Sequence, residues 1–583
     1  MRSEYNWRSL LIVALLGIFG ALVIVQMVRI QNSPEAQVFR AQSALYGRKL
    51  ETFHPERGAI YDRNGRLLAG SKTVYEIGVD LANARDKQAI AAAVGMVTGK
   101  NSENLYNEME NPPEGVRYLV LADFVDTSAA EQLKQVMDSA RQMAAPGQGS
   151  RLQGIALNAH PQRDYPEGEL GSNLLGFVSY EGRGYFGIEE KYNSLLAGNA
   201  VQVWVPTDPN RAIELPNMPT GTTLVLTIDR GLQADVEEIL GEALSDYGAD
   251  QGTIVVMDPR NGGILALASS PRMDPNDFGS YGSIYHNASE FDRAVSMPYE
   301  PGSVMKVLTM AAALDSGTVV PSTPFMDTGA IQVGGAIIRN WNDEAWGPQD
   351  MVGCLQHSLN VCMAWVAERM GADTFYGYMN RFGFGHLTGV DLAGEAAGRL
   401  KVPGDSDWYP VDLGTNAFGQ GVSVTPMQML TAASAVPNGG RMVVPHVLSA
   451  MVRDGRQYSV PIQYAGSPIS PETARTLNEM LAVSLEQESS SALVPGYRVA
   501  GKTGTAEIPG PYGYETGATN ASFIGWGPVD DPRFMIYVWL ERPSTSIWGS
   551  ETAAPTFSLV AQKAILALNI APDSVRKEIA AKP

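Results

Sequence analysis

A serine three residues ahead of a lysine, at the start of a long apolar run, can do acyl-transfer chemistry. Pro301-Gly302-Ser303-Val304-Met305-Lys306 leads into VLTMAAALDSG. Pro and Gly just before such a run mark a helix start. Ser303 is therefore predicted in the first helical turn, at the positive end of the helix dipole. Lys306 follows on the same face, one turn up. A serine hydroxyl is a weak nucleophile until a base takes its proton. A lysine becomes that base where burial or a second cation lowers its pKa. Ser358-Leu359-Asn360 and Lys502-Thr503-Gly504-Thr505 supply the remaining polar groups. The first lies between two helix-like stretches. The second is flanked by strand-like residues 498–500 and 505–508, which places Lys502 on a strand edging a cleft.

Each piece alone is cheap. A second S-x-x-K, Ser574-Val575-Arg576-Lys577, lies in a charged tail and reads as chance. Gly496 to Thr503 also satisfies G-x-x-x-x-G-K-T, a phosphate-binding pattern. A phosphate loop must open a helix whose amino end holds the anion. Here the chain continues TAEIPGP, which cannot open one, so a nucleotide site is not expected. Cys354 and Cys362 bracket Ser358. On one continuous helix their eight-residue spacing is a rise of about 12 Å, too far for a disulfide, so both are expected as free, buried thiols. His357 is expected to pack or face water.

The elements that must position these groups can be read in outline. Residues 222–229 alternate like a strand, 232–247 read as a helix, and 253–258 with 263–268 form a hairpin about Asn261-Gly262. Upstream, 56–215 is mixed, with strand-like pieces at 74–79 and 116–122 and helix-like pieces at 86–97 and 128–143. Two turn-rich knots, at 57–66 and 163–168, read as loops and scaffolding; Asn64-Gly65 is a hairpin signal. Residues 9–28 are uncharged and almost wholly apolar, long enough to cross a bilayer core. No small-x-small cleavage site follows, which favours an uncleaved anchor over a signal peptide. Arginines flank both ends of the span, so the positive-inside count leaves its orientation open.

Composition narrows the function. Of 583 residues 44% are apolar, enough to bury several cores, and the net charge is −19. So acidic a surface argues against a broad nucleic-acid footprint. Two cysteines and six scattered histidines leave no recognisable metal site, and no cofactor is expected.

Taken together, S-x-x-K, S-x-N and K-T-G in this order form the signature of serine acyltransferases that react with penicillin. The chain resembles class B penicillin-binding proteins, the monofunctional peptidoglycan DD-transpeptidases, over nearly its whole length. RGAIYDRNGRLLA at 57–69, RDYPEGELGSNLLGFV at 163–178 and GYFGIEEKYNSLLAG at 184–198 are similar to the non-catalytic part of that family. GTIVVMDPRNGGILALASSP at 252–271, FGQGVSVTPMQML at 418–430 and GSETAAP at 549–555 are similar to its catalytic part. Tyr299 to Ser303 and the linker 181–184 resemble the division branch more than the elongation branch.

The resemblance implies an α/β (α+β) fold with a central antiparallel sheet between helices. It implies a cytoplasmic tail (1–8), a transmembrane anchor (9–28), a stalk (29–55), a pedestal (56–215), a transpeptidase domain (216–575) and a frayed tail (576–583). Ser303 would attack the donor stem peptide, with Lys306 as base, Ser358 relaying a proton and Asn360 positioning. Lys502 and Thr503 would hold the terminal carboxylate, Gly504 and Thr505 would line the substrate site beside them, and the backbone N–H groups of Ser303 and Thr505 would form an oxyanion hole. The implied partners are peptidoglycan stem peptides, β-lactams, a polytopic membrane glycan polymerase and other division proteins, with the catalytic part outside the cytoplasmic membrane. A hydrolytic relative is an alternative, as is a non-catalytic penicillin sensor or division scaffold; the eight residues before the span leave a sensor little room for an intracellular output.

Overall fold

The computed structural model describes residues 7–34, 48–53, 55–145, 148–206, 220–286, 289–488, 490–511 and 513–581. It divides into two compact units. The first contains a 25-residue helix, Trp7–Gln31, and an antiparallel ribbon pairing Arg48–Phe53 with Val201–Pro206. The helix has an apolar window over Leu10–Gln31 with mean hydropathy 2.8, none of it buried, which is the length and composition of a membrane span. Most of the expected tail at 1–8, most of the stalk at 29–55 and the boundary near 215 lie outside the described residues.

The second unit holds everything else that is described. One sheet runs in the order Arg456–Ser459, Leu448–Arg453, Thr223–Leu226, Ile60–Tyr61, Leu67–Asp80, Tyr118–Asp126, with Ile155–Asp164 also paired to Leu67–Asp80. Strands from both sides of residue 215 therefore share a ladder; Ile60 and Tyr61 pair in parallel with Leu224 and Val225. Helices Lys87–Thr98 and Thr127–Gln142 cover the outer part, burying Ile77, Val79, Ile90, Val94, Leu121 and Leu133. Asp86 caps the first of these, accepting from Ala89 N–H at 2.9 Å.

The 57–66 and 163–168 knots meet at a buried carboxylate. Arg57 Nε and Arg163 Nε each donate to Glu189 at 2.7 Å, and Arg163 also donates to the Gly58 carbonyl at 2.8 Å. The knots are scaffolding, as expected, and Glu189 is the anion that joins them.

A second, five-stranded sheet is antiparallel throughout, in the order Ile264–Ser269, Gln251–Met257, Phe534–Glu541, Gly513–Gly527, Ala500–Gly510. Its central strand Phe534–Glu541 reads as an unbroken apolar run up to Glu541 because both faces are covered. Met535, Tyr537 and Trp539 face one core, and Phe534, Ile536, Val538 and Leu540 face the other. Helices Arg230–Tyr247 and Ala553–Ala567 contribute to the second core. The first core surrounds helix Lys306–Asp315, whose residues 306 to 313 are all buried. A helix apolar all round belongs at the centre of a domain, and this one carries Lys306 inside with it.

The carboxyl end departs from the expected fray. Asp573–Ala580 is a helix. Asp573 N–H donates to the Gly496 carbonyl at 3.1 Å, and Arg576 pairs with Asp530 and with Asp573. These contacts hold the charged tail down; residues 582–583 lie outside the described residues.

Candidate active site

Ser303 lies in a 3₁₀ turn, Gly302–Met305, that runs directly into helix Lys306–Asp315. With three residues per turn, positions i and i+3 eclipse, so Lys306 stands over Ser303. The turn packs against the edge strand Ala500–Gly510. Gly302 has φ +59°, and a Cβ there would lie 2.9 Å from the Thr505 carbonyl oxygen. Across the contact, a Cβ at Gly504 would lie 2.3 Å from Ser522 Oγ and 3.0 Å from Val304. The glycines of P-G-S and K-T-G thus let the serine turn and the lysine strand touch. Among the described residues Ser303 Oγ makes no hydrogen bond. It lines a cleft of about 240 Å³ together with Ser358, Asn360, Thr503 and Thr505.

Lys306 is fully buried. Its Nζ donates to the Ser358 carbonyl at 2.6 Å, Ser358 Oγ at 3.1 Å and Asn360 Oδ1 at 2.8 Å. No carboxylate is among these partners. Burial first, and the nearby Lys502 cation second, hold its pKa well below the ordinary lysine range. Lys502, also buried, donates to Thr503 Oγ1 at 3.1 Å. Burial lowers its pKa to about 8, against the opposing pull of Glu488 at the cleft wall.

Ser358 joins helices Met351–Gln356 and Asn360–Met370 through a left-handed turn, φ +54°. That conformation is costly for a non-glycine residue. It turns the Ser358 carbonyl and hydroxyl toward the Lys306 amine, and Asn360 opens the next helix facing the same group. Asn360 Nδ2 donates to the Arg339 carbonyl at 3.2 Å, which fixes its amide.

The break also overturns the cysteine expectation. Cys354 and Cys362 form a disulfide, with Cα atoms 6.0 Å apart. The 12 Å figure assumed one straight helix. The Ser358 turn folds the second helix back and brings the two cysteines together.

All the expected site residues face this cleft or the lysines behind it, save that Gly504 has a steric role. The K-T-G strand continues into a hairpin with Gly513–Gly527, the opposite of what a phosphate loop needs. Ser574 and Lys577 sit on the terminal helix. His357 lines the cleft, but its ring stacks on Trp346 at 4.2 Å, and partial burial lowers its pKa. Sequence reasoning gave no role to Trp341, Gln356, Glu488, Trp548 or Glu551, which line the same cleft. Trp548 directly precedes the 549–555 segment and Glu551 lies within it; nothing in the local sequence marks Trp341.

Comparison with known proteins agrees with this geometry. Residues 252–562 match the penicillin-binding protein transpeptidase domain, and residues 52–215 match the penicillin-binding protein dimerisation domain. The chain is 32% identical to Stage V sporulation protein D of Bacillus subtilis, over 89% of this chain and 79% of that one. It is 28% identical to the peptidoglycan D,D-transpeptidase FtsI of Escherichia coli, over 98% and 93%. Among solved structures it is similar to penicillin-binding protein 3 of Mycobacterium tuberculosis complexed with aztreonam. That match has a TM-score of 0.68 and 25% identity, and covers 90% of this chain and 98% of the other. A chain whose ordered serine, lysine and asparagine converge on one cleft, and whose length is matched in this way, belongs to the penicillin-binding protein transpeptidase family.

Proposed function

We propose that this transpeptidase cross-links peptidoglycan stem peptides through an acyl-serine intermediate, in septal wall synthesis at cell division. The observation that carries the reading is Lys306: a fully buried amine bonded to three neutral oxygens beside a second lysine. Such an amine is shifted toward its free-base form, in which two N–H groups remain for the Ser358 carbonyl and Asn360 Oδ1 and the lone pair can take the Ser303 proton. Ser303 Oγ then attacks the penultimate D-alanine carbonyl. The C–O ester bond forms, the C–N bond breaks, and the proton passes to the departing D-alanine by way of Ser358. Lys502, Thr503 and Thr505 bind the terminal carboxylate. The backbone N–H groups of Ser303 and Thr505 hold the oxyanion; one such donor is worth roughly 10²–10³ in rate. An acceptor amine then attacks the ester, forms the cross-link amide and returns the proton to Ser303. β-Lactams form the same ester and persist.

The likeness of Tyr299 to Ser303 and of the linker 181–184 to the division branch favours the division role. The apolar helix Leu10–Gln31 acts as a single-pass anchor with the catalytic unit outside the cytoplasmic membrane. This chain carries no recognised polymerase motif, so its strands come from a polytopic glycan polymerase. Small residues Ala14, Gly17, Gly20 and Ala21 let another membrane helix approach the span closely, and the 56–215 pedestal docks the same partner outside the membrane.

The test is labelling with fluorescent penicillin, peptide mapping and a Ser303→Ala control. An adduct on the Ser303 peptide, lost in the variant, supports the assignment; an adduct on Ser358 or Ser574 refutes it. Replacing the chromosomal copy with Ser303→Ala should leave undivided filaments. Rounded cells would instead assign the enzyme to elongation.

A further inference from the structure

An acyl-serine faces two nucleophiles, the acceptor amine and water. Transfer needs the second kept away while the ester lives. Two indoles in this cleft are built for that. Trp341 and Trp548 both line it with Ser303. Their rings meet edge to face, with centroids 5.2 Å apart, a favoured aromatic geometry. Trp341 is nevertheless 49% exposed, so the pair is at the mouth and not in the core.

Each tryptophan belongs to a different wall of the site. Trp341 Nε1 donates to the His357 carbonyl at 3.1 Å, one residue before Ser358. Its neighbours are fixed to the same wall: Asn340 Oδ1 accepts Val361 N–H at 3.2 Å, and the Arg339 carbonyl accepts Asn360 Nδ2. Trp548 belongs to the other wall. Gly549 N–H donates to Thr505 Oγ1 at 3.0 Å, and Thr519 Oγ1 donates to the Ile547 carbonyl at 2.8 Å. The Trp548 carbonyl accepts from Thr552 Oγ1 at 2.9 Å. The indole contact therefore joins the wall carrying Ser358 to the strand carrying Lys502, across the cleft that contains the nucleophile.

We propose that Trp341 and Trp548 form an aromatic clasp that excludes water from the acyl-serine and so directs the acyl group to an amine. This rests on the transpeptidase reading above. Both indoles are specificity-determining: they do not move a proton, and their apolar faces lower the chance that water reaches the ester carbonyl. In productive turnover the amine nitrogen forms the amide bond, the Ser303 ester C–O bond breaks, and the amine proton returns to Ser303 Oγ. In the leak that the clasp prevents, water oxygen takes the place of nitrogen and releases the free acid.

The experiment uses the full-length enzyme in detergent with a D-Ala-D-Ala pentapeptide donor and an excess of glycine as acceptor amine. It measures the ratio of glycine-transfer product to hydrolysed tetrapeptide. A ratio does not depend on how many molecules are folded. Trp341→Ala and Trp548→Ala should each lower it by about tenfold, and Trp341→Phe and Trp548→Phe should restore it to within about threefold, because apolar cover and not the indole N–H is what counts. An unchanged ratio in both alanine variants overturns the clasp, as does a phenylalanine variant as leaky as its alanine counterpart. Wild-type enzyme that forms the Ser303 adduct yet only hydrolyses the donor overturns the transpeptidase reading itself, and the clasp falls with it.

Discussion

The pH dependence of acylation should separate the two lysines. Lys306 must lose its proton to act as base, so the rate rises with pH through its lowered pKa. Lys502 must keep its proton to hold the substrate carboxylate, so the rate falls as pH passes its pKa of about 8. Between pH 7 and pH 9 the protonated share of Lys502 drops from about ten-elevenths to about one-eleventh, a loss of roughly tenfold. Lys502→Arg keeps the charge at every accessible pH, since a guanidinium does not deprotonate in proteins. Its rate at pH 7 will fall for geometric reasons, but its basic limb should vanish. Glu488→Gln removes the anion that raises the Lys502 pKa, and should move the basic limb to lower pH. Stopped-flow measurement of the second-order rate with a fluorescent penicillin is the right assay, because that constant reports the free enzyme. A basic limb that survives in Lys502→Arg, or a wild-type rate still climbing at pH 9, would refute the reasoning.

Lys306→Arg retains a cation and removes the base, so acylation should fall by about 10²–10⁴; a near-normal rate in the same labelling assay would mean that another group takes the proton. Reducing Cys354–Cys362, which spans eight positions in sequence, should lower stability by about 2–3 kcal/mol by freeing the unfolded chain. Guanidinium melts with and without dithiothreitol would read this, and superimposed curves would count against it. Glu189→Ala strands Arg57 and Arg163 beside a buried void and should cost about 3–5 kcal/mol. A midpoint shift no larger than that of an exposed-pair variant such as Asp407→Ala would show that the cluster is solvated.

Much of the chemistry was legible in one dimension. Helix Lys306–Asp315 announced itself as a long apolar run after Pro-Gly, and its being apolar all round already implied that Lys306 goes inside with it. The hairpin about Asn261-Gly262 and the strand character of the Lys502 segment were local properties and appear as read. The ordered serine, lysine and asparagine motifs picked out the groups that the fold brings together at one cleft.

The tertiary structure decided whatever depends on a bend or on a partner distant in sequence. Ser358 takes a left-handed conformation that no propensity assigns to serine, and it is held because its carbonyl and hydroxyl both meet Lys306, 52 residues away. That bend turned two cysteines expected as free thiols into a disulfide. Glu189 draws in Arg57 from 132 residues away and Arg163 from 26, and it is the distant partner that no local reading of the two loops reveals. Trp341 and Trp548 stand 207 positions apart in the chain and meet only because the helical wall and the sheet edge close on one cleft. Periodicity and motif spacing report which face a residue takes and what its side chain can do; which distant group it meets is set by packing, where long-range contacts outweigh local preference.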